Sequence, residues 1–357
     1  MSNNESGLVQ IGITMGDING IGPEVIIKTL RHPSILDMCI PIVYGSGKIM
    51  SYYKNIIKGE DFVFHQARNG DKLQQGKIYV VNSWQENVTV TMGKLSDVGG
   101  KYALLAIDQA IQDAKSGWID GMVTGPIHKK AMQLAGFSYT GHTDYLAEKF
   151  DTKDYMMMMC GTSMRVGLVT THIPIKDVPQ KMTADKIKKS LVILQDSLQK
   201  DFGIDNPVIA VLGLNPHAGD DGVIGDEEIK SILPVILEMR ANGSIIYGPY
   251  SSDGFFGAGQ YKKVDGILAM YHDQGLIPFK SLEFESGINY TAGLPVVRTS
   301  PDHGTAYDIA GKNEADPSSF RAALFGAIDI ARQRKQYHSD RSNPLKKYQK
   351  QSEEVVE

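Results

Sequence analysis

The chain has 357 residues, 42% of them hydrophobic and 22% charged, with a formal net charge of −4. That length can bury a sizeable core in two domains or one large one, and the mixed charge offers no basic field for nucleic acid or an anionic membrane surface. Cys39 and Cys160 give neither a disulfide framework nor a thiolate metal motif, "MSNNESG" is no secretory leader, and no apolar run reaches membrane-span length; a cytoplasmic protein is expected.

In chain order, "LVQIGITMG" alternates as a strand, and "GIGPEVIIKTLRH" reads as a helix with Pro23 at an early position and Glu24 near its positive end. "CIPIVYG" and "KIYVVNS" are strands, "KYALLAIDQAIQDAKSG" is an amphipathic helix ended by Gly117, and "DGMVTGP" is a strand closing on a turn. "YMMMMCGTSMRVGLVTT" predicts two antiparallel strands joined at Gly-Thr-Ser, with the methionines buried rather than ligating a soft metal. "TADKIKKSLVILQDSLQKDFG" predicts a helix capped by Thr183; the strand "PVIAVLGLNP", the helix "DEEIKSILPVILEMRANG", the strand "DGILAMYH" and a closing helix "SSFRAALFGAIDIARQR" follow. From Gln336 a polar tail is expected. Alternating strands and helices predict a mostly parallel sheet with helices on both faces, made mixed by the methionine hairpin.

His172, His217 and His272 each follow a predicted strand end, the edge where open α/β sheets bind ligands. Singly, each is most simply a loop residue satisfied by a backbone carbonyl; their shared location favours three imidazoles on one catalytic divalent ion with open positions. His142 and Thr143 begin a helix, where an anion is favoured, although Thr143 serves equally as a cap. Lys280, Asn289 and Arg298 are spaced polar residues in apolar text, suited together to a phosphate or carboxylate, although singly each is more often a solvated surface residue. Asp226–Glu228 read as a helix cap. "GDINGIGPE" lacks the third glycine of a dinucleotide fingerprint, and "YGSGKIM" lacks P-loop spacing.

Taken together, "GDINGIGPE", "TGPIHK", "GHTDYLAE", "GLNPHAGDDGVIGDEE", "YHDQGLIPFK" and "INYTAGLPVVRTSPDHGTAYDIAG" make the chain resemble the 4-hydroxythreonine-4-phosphate dehydrogenase family from Ile11 to about Arg332. The resemblance implies two α/β/α domains with mixed, largely parallel sheets in an isocitrate/isopropylmalate dehydrogenase-like fold, with the active-site cleft between them. The expected division is 8–140 with 295–335, then 141–294, then a tail at 336–357. It implies oxidation of 4-phosphooxy-L-threonine by NAD or NADP in pyridoxal 5′-phosphate biosynthesis, with a homodimer sharing its sites. Metal ligands His172, His217 and His272 would hold one zinc, magnesium or cobalt ion. His142, Thr143, Lys280, Asn289 and Arg298 would contact substrate, and His303, Gly304, Thr305 and Ala306 the dinucleotide. The base stays open among Lys280, Asp273, His142 and water. The family's usual residues are replaced at Ile18, Asn19, Asp144 and Gly254, which keeps D-threonate or D-erythronate 4-phosphate as alternative substrates; a metal-dependent hydrolase is the alternative from another class.

Overall fold

The computed structural model describes residues 7–59, 61–139, 141–283 and 286–343. Apolar runs bounded by glycine or proline become strands β1 (Val9–Thr14), β2 (Cys39–Gly45), β3 (Phe64–Gln66), β4 (Ile78–Asn82), β5 (Gly121–Thr124), β6 (Met156–Cys160), β7 (Arg165–Leu168), β8 (Val208–Leu212), β9 (Ile245–Tyr250), β10 (Gly266–Ala269), β11 (Ile288–Ala292) and β12 (Val297–Pro301). The longer helices are α1 (Gly22–Leu30), α2 (Gly47–Ile56), α3 (Asp97–Lys115), α4 (His142–Lys149), α5 (Ala184–Lys200), α6 (Leu233–Ala241), α7 (His272–Glu283) and α8 (Ser318–Arg341).

These strands form one sheet in the order β3-β4-β2-β1-β5-β12-β11-β6-β7-β10-β8-β9. Its ladders are parallel except β12–β11, β11–β6 and β6–β7. The expected mixed, largely parallel α/β architecture is therefore present, with a difference: three antiparallel ladders join what were expected as separate sheets into one. β1, β2, β5 and β12 are buried at every position, as strands with both faces covered must be. β6 and β7 form the antiparallel pair read from the methionine run, and Met156, Met158 and Met159 lie in the core. Both cysteines are buried, and burial pushes each thiol up to about 12, which makes them inert packing groups.

Local chemistry fixes the helix ends. Thr183 Oγ1 accepts from the Lys186 amide as the α5 cap, and Ser96 caps α3 in the same way. Helix α7 was not legible as a helix, because Gly275 and Pro278 interrupt "HDQGLIPFK". Tertiary contact requires that glycine: a Cβ there would meet Leu168 Cδ2 at 2.8 Å and Val166 Cγ1 at 2.9 Å on β7. Helix α8 runs to Arg341, past the expected start of the polar tail at Gln336; residues 344–357 lie outside the described residues. The extra turns are anchored because Arg334, within the expected domain but near its end, is buried and ion-paired to Asp201 at 2.7 Å. Among the described residues no helix is long and apolar enough to cross a membrane.

Candidate active site

A cavity of about 660 Å³ opens where β5, β7, β11 and β12 meet the first turn of α4 and one face of α7. All five expected substrate contacts line it: His142, Thr143, Lys280, Asn289 and Arg298. Helix α7 explains part of this convergence. His272, Leu276 and Lys280 stand at i, i+4 and i+8, so one helical face delivers all three to the cavity. Thr143 is not a cap, since Gly141 holds that position; its side chain belongs to the cavity wall. Lys280 pairs with Asp302 at 2.8 Å.

Arg298 is the residue that most constrains the chemistry. It is 3% exposed, and its guanidinium donates to Thr124 Oγ1 from Nε at 3.1 Å and Nη2 at 2.8 Å, and to Thr291 Oγ1 from Nη1 at 3.2 Å. Among the described residues its side-chain partners are neutral hydroxyls, and desolvation lowers its pKa to about 10. A buried cation held only by hydroxyls, with N–H groups to spare, is arranged to receive an anion. Nearby, burial and then the Arg298 charge hold His142 well below the ordinary imidazole value, so its ring is neutral. Among the described residues His142 Nε2 and Asn289 Oδ1 are buried with no hydrogen-bond partner, which leaves two polar atoms for a ligand to satisfy.

The three strand-end histidines separate into a pair and a single. β7, β10 and β8 are adjacent and parallel, as convergence requires, and the His172 and His272 rings lie 5.7 Å apart beside the cavity. Burial, then Lys129 and His272, lowers the pKa of His172 and favours the neutral, ligating form. His272 Nδ1 donates to Asp273 Oδ1 at 2.7 Å, leaving Nε2 free, so Asp273 orients this ring from outside the cavity lining. His217 does not line the cavity; it sits at φ +52° at the start of a run of positive φ that reaches Gly222. Among the described residues no group of three histidine, cysteine or acidic side chains is placed to hold a metal. The pair fits two positions of a divalent ion, and the chain by itself leaves the third unfilled.

Glu228, expected to cap a helix, instead clamps the His217 loop. Its Oε1 accepts from the Leu214 and Asn215 amides, both at 2.7 Å, and Oε2 accepts from Asn215 Nδ2 at 2.9 Å. The reason is its burial, at 3% exposed: a carboxylate inside the fold must take its bonds from the loop packed over it.

The 303–306 segment packs on the glycine loop that follows β1. The Ile21 amide donates to Thr305 O at 3.0 Å, and a Cβ on Gly20 would meet that same oxygen at 2.8 Å, so only glycine permits the approach. Next along, Tyr307 donates to Asp17 Oδ2 at 2.5 Å and stacks on His128 with ring centroids 5.1 Å apart. The glycine loop thus acts as a cradle for this segment. Of its four expected dinucleotide contacts, His303 also lines the cavity, while Gly304, Thr305 and Ala306 stand outside the lining.

A family model described as pyridoxal phosphate biosynthetic protein PdxA matches residues 37–327. The chain belongs to the PdxA family. A 4-hydroxythreonine-4-phosphate dehydrogenase of Bacteroides thetaiotaomicron is 47% identical over 96% of this chain and 94% of its own. A crystal structure of a 4-hydroxythreonine-4-phosphate dehydrogenase from Klebsiella pneumoniae superposes with TM-score 0.79 at 34% identity, covering 92% of this chain and 99% of that one. A relative from Oceanobacillus iheyensis, provisionally named a D-threonate 4-phosphate dehydrogenase, is 38% identical over 90% of this chain and 97% of its own.

The cavity of this PdxA family member has walls that reading the sequence missed: Thr124 at the end of β5 and Lys129 beyond it, Lys153 before β6, and Lys186 and Lys189 on α5. Isolated threonines and lysines carry no periodic or motif signal. Only "TGPIHK", which holds Thr124 and Lys129 in one block, could have drawn attention to two of them.

Proposed function

We propose that the chain oxidises the C3 hydroxyl of 4-phosphooxy-L-threonine with NAD or NADP, giving 2-amino-3-oxo-4-phosphooxybutanoate, which loses carbon dioxide to form 3-amino-2-oxopropyl phosphate for pyridoxal 5′-phosphate synthesis. The observation that carries this reading is Arg298, a buried guanidinium held by neutral hydroxyls in the wall of a PdxA-family cavity. Arg298 and Lys280 bind oxyanion oxygens; neutral His142 and the Asn289 carbonyl accept hydrogen bonds from the substrate's polar groups and hold it in the geometry for transfer. His172 and His272 would hold a zinc, magnesium or cobalt ion, which supplies polarisation of the reacting oxygen when bound. His303, Gly304, Thr305 and Ala306 would hold the dinucleotide, which would supply the hydride acceptor when bound. Lys280 and His142 face the cavity and stay as candidates for the proton acceptor; Asp273 is better suited to orienting His272.

A homodimer accounts for the missing third donor. Ile229, Leu233 and Leu237 are exposed at four-residue intervals, with Val223 and Ile224 exposed on the preceding segment, forming an apolar stripe next to the His217 loop of the kind that covers itself with a second copy. The division into 8–140 with 295–335 and 141–294 is supported by the strand order, in which residues 156–292 supply one end of the sheet. A cytoplasmic location suits two buried free cysteines and a biosynthetic role.

The relative named for D-threonate 4-phosphate supports a second reading, the same oxidation on a sugar-acid phosphate. Formation of reduced nicotinamide, followed with 4-phosphooxy-L-threonine beside D-threonate and D-erythronate 4-phosphates, tests both. The threonine phosphate is expected to give the highest kcat/KM; preference for a sugar-acid phosphate overturns the first reading, and no redox with any of them overturns both.

A further inference from the structure

We propose that the α5 wall of the cavity is a second anion subsite, in which Lys186 and Lys189, with Lys153, hold the anionic group of the substrate that lies remote from Arg298. The inference rests on the proposed reading for the identity of the substrate, and on geometry for the subsite itself.

Lys186, Lys189, Ser190 and Ile193 all line the cavity, and their spacing of three, four and seven residues is that of a single face of α5. Two ammonium groups therefore point along one wall by helical necessity. Lys153 reaches the same cavity from the loop before β6. The cavity lining as a whole carries six lysine and arginine side chains against three carboxylates, Asp144, Asp154 and Asp302. A cavity with that surplus is completed by more negative charge than one anionic group brings.

The lysine wall is also short of partners. Among the described residues neither Lys153 nor Lys186 has a carboxylate at ion-pair distance, and Lys189 has only Asp185 at 3.1 Å, an exposed pair one turn away on the same helix. Such a pair is readily exchanged for a ligand oxygen. Burial and then the neighbouring Lys181 lower the pKa of Lys186, the strain expected of a half-buried cation waiting for an anion. Arg298 projects from β12 and is tied to Thr124 on β5 and Thr291 on β11, whereas Lys186 and Lys189 project from α5, so the two cationic centres stand on different walls of the cavity. A hydroxy acid phosphorylated at its far end, with phosphate and carboxylate on opposite sides of the reacting carbon, matches two separated oxyanion sites.

The double substitution K186A/K189A tests the assignment, because both side chains are partly exposed and can be removed without disturbing the core. Calorimetric titration of the full chain with inorganic phosphate should give two equivalents for the unsubstituted protein and one for the variant. In turnover, the KM for the phosphorylated acid should rise tenfold or more with kcat and the KM for the dinucleotide nearly unchanged, as for contacts made equally in ground and transition states. An unchanged phosphate stoichiometry and an unchanged substrate KM would overturn the proposal. A rise confined to the dinucleotide KM would also overturn it, by assigning the lysines to the cofactor's diphosphate. If phosphate stoichiometry falls from two to one but none of the phosphorylated acids is oxidised, the subsite stands and the functional reading is what has failed.

Discussion

Replacing Arg298 by methionine should separate binding from stability, with opposite signs. The guanidinium is buried, and desolvation lowers its pKa to about 10, which corresponds to roughly 3 kcal/mol of penalty for keeping it charged in the ligand-free protein. Methionine removes that penalty and fills similar volume. It also removes the bonds to Thr124 and Thr291, each worth about 1 kcal/mol, so the net effect on folding is close to zero or slightly favourable. Binding moves the other way. Two charge-assisted bonds to a substrate oxyanion, at about 1.5–3 kcal/mol each, predict a fall in kcat/KM of about a hundredfold to ten-thousandfold. The assays are reduced-nicotinamide formation and thermal unfolding of the ligand-free protein. The reasoning is refuted if kcat/KM falls less than tenfold, or if the ligand-free variant melts well below the parent; the second outcome would make Arg298 a structural pin.

Two further outcomes follow from neighbouring parts of the fold. Burial pushes the Glu283 carboxyl up, but bonds from the Ser163 and Ser286 hydroxyls and the Ser163 and Thr162 amides outweigh it, so the pKa is held below 4.5. A depressed carboxylate stabilises the fold above its unfolded pKa and loses that contribution as pH falls through the folded value. The melting-temperature gap between the parent and Glu283→Gln should therefore be widest above pH 4.5 and shrink on acidification; a gap independent of pH would contradict it. Gly20→Ala places a Cβ 2.8 Å from Thr305 O and must displace the 303–306 segment, so dinucleotide affinity measured by fluorescence titration should weaken several-fold while phosphate binding is kept. Equal dinucleotide affinity in that variant would detach this segment from the cofactor.

Much of the fold was legible because its signals are local. Thr183 and Pro23 mark helix starts through backbone chemistry within a few residues, and the methionine run declares a buried strand by composition alone. Helix α7 was illegible for the opposite reason: Gly275 is there to let the helix rest on β7, a contact with residues more than a hundred positions earlier in the chain, and local propensity cannot register it. Glu228 misled in the same way, since an acid before a helix looks like a cap until burial turns it toward the loop at Leu214 and Asn215.

The sequence by itself determined the residue types of the site, their order, and the family to which the ordered blocks belong. Only the tertiary structure decided their company. It gathered His142, Thr143, Lys280, Asn289 and Arg298 on one cavity, paired His172 with His272 and left His217 on its own loop, and added the α5 lysines. The physical reason is that residue type is written along the chain, whereas burial, neighbours and charge balance arise from which strands lie side by side. β12 and β5 are neighbours although about half of the chain separates them, and that adjacency is what leaves Arg298 beside Thr124 with room for an anion.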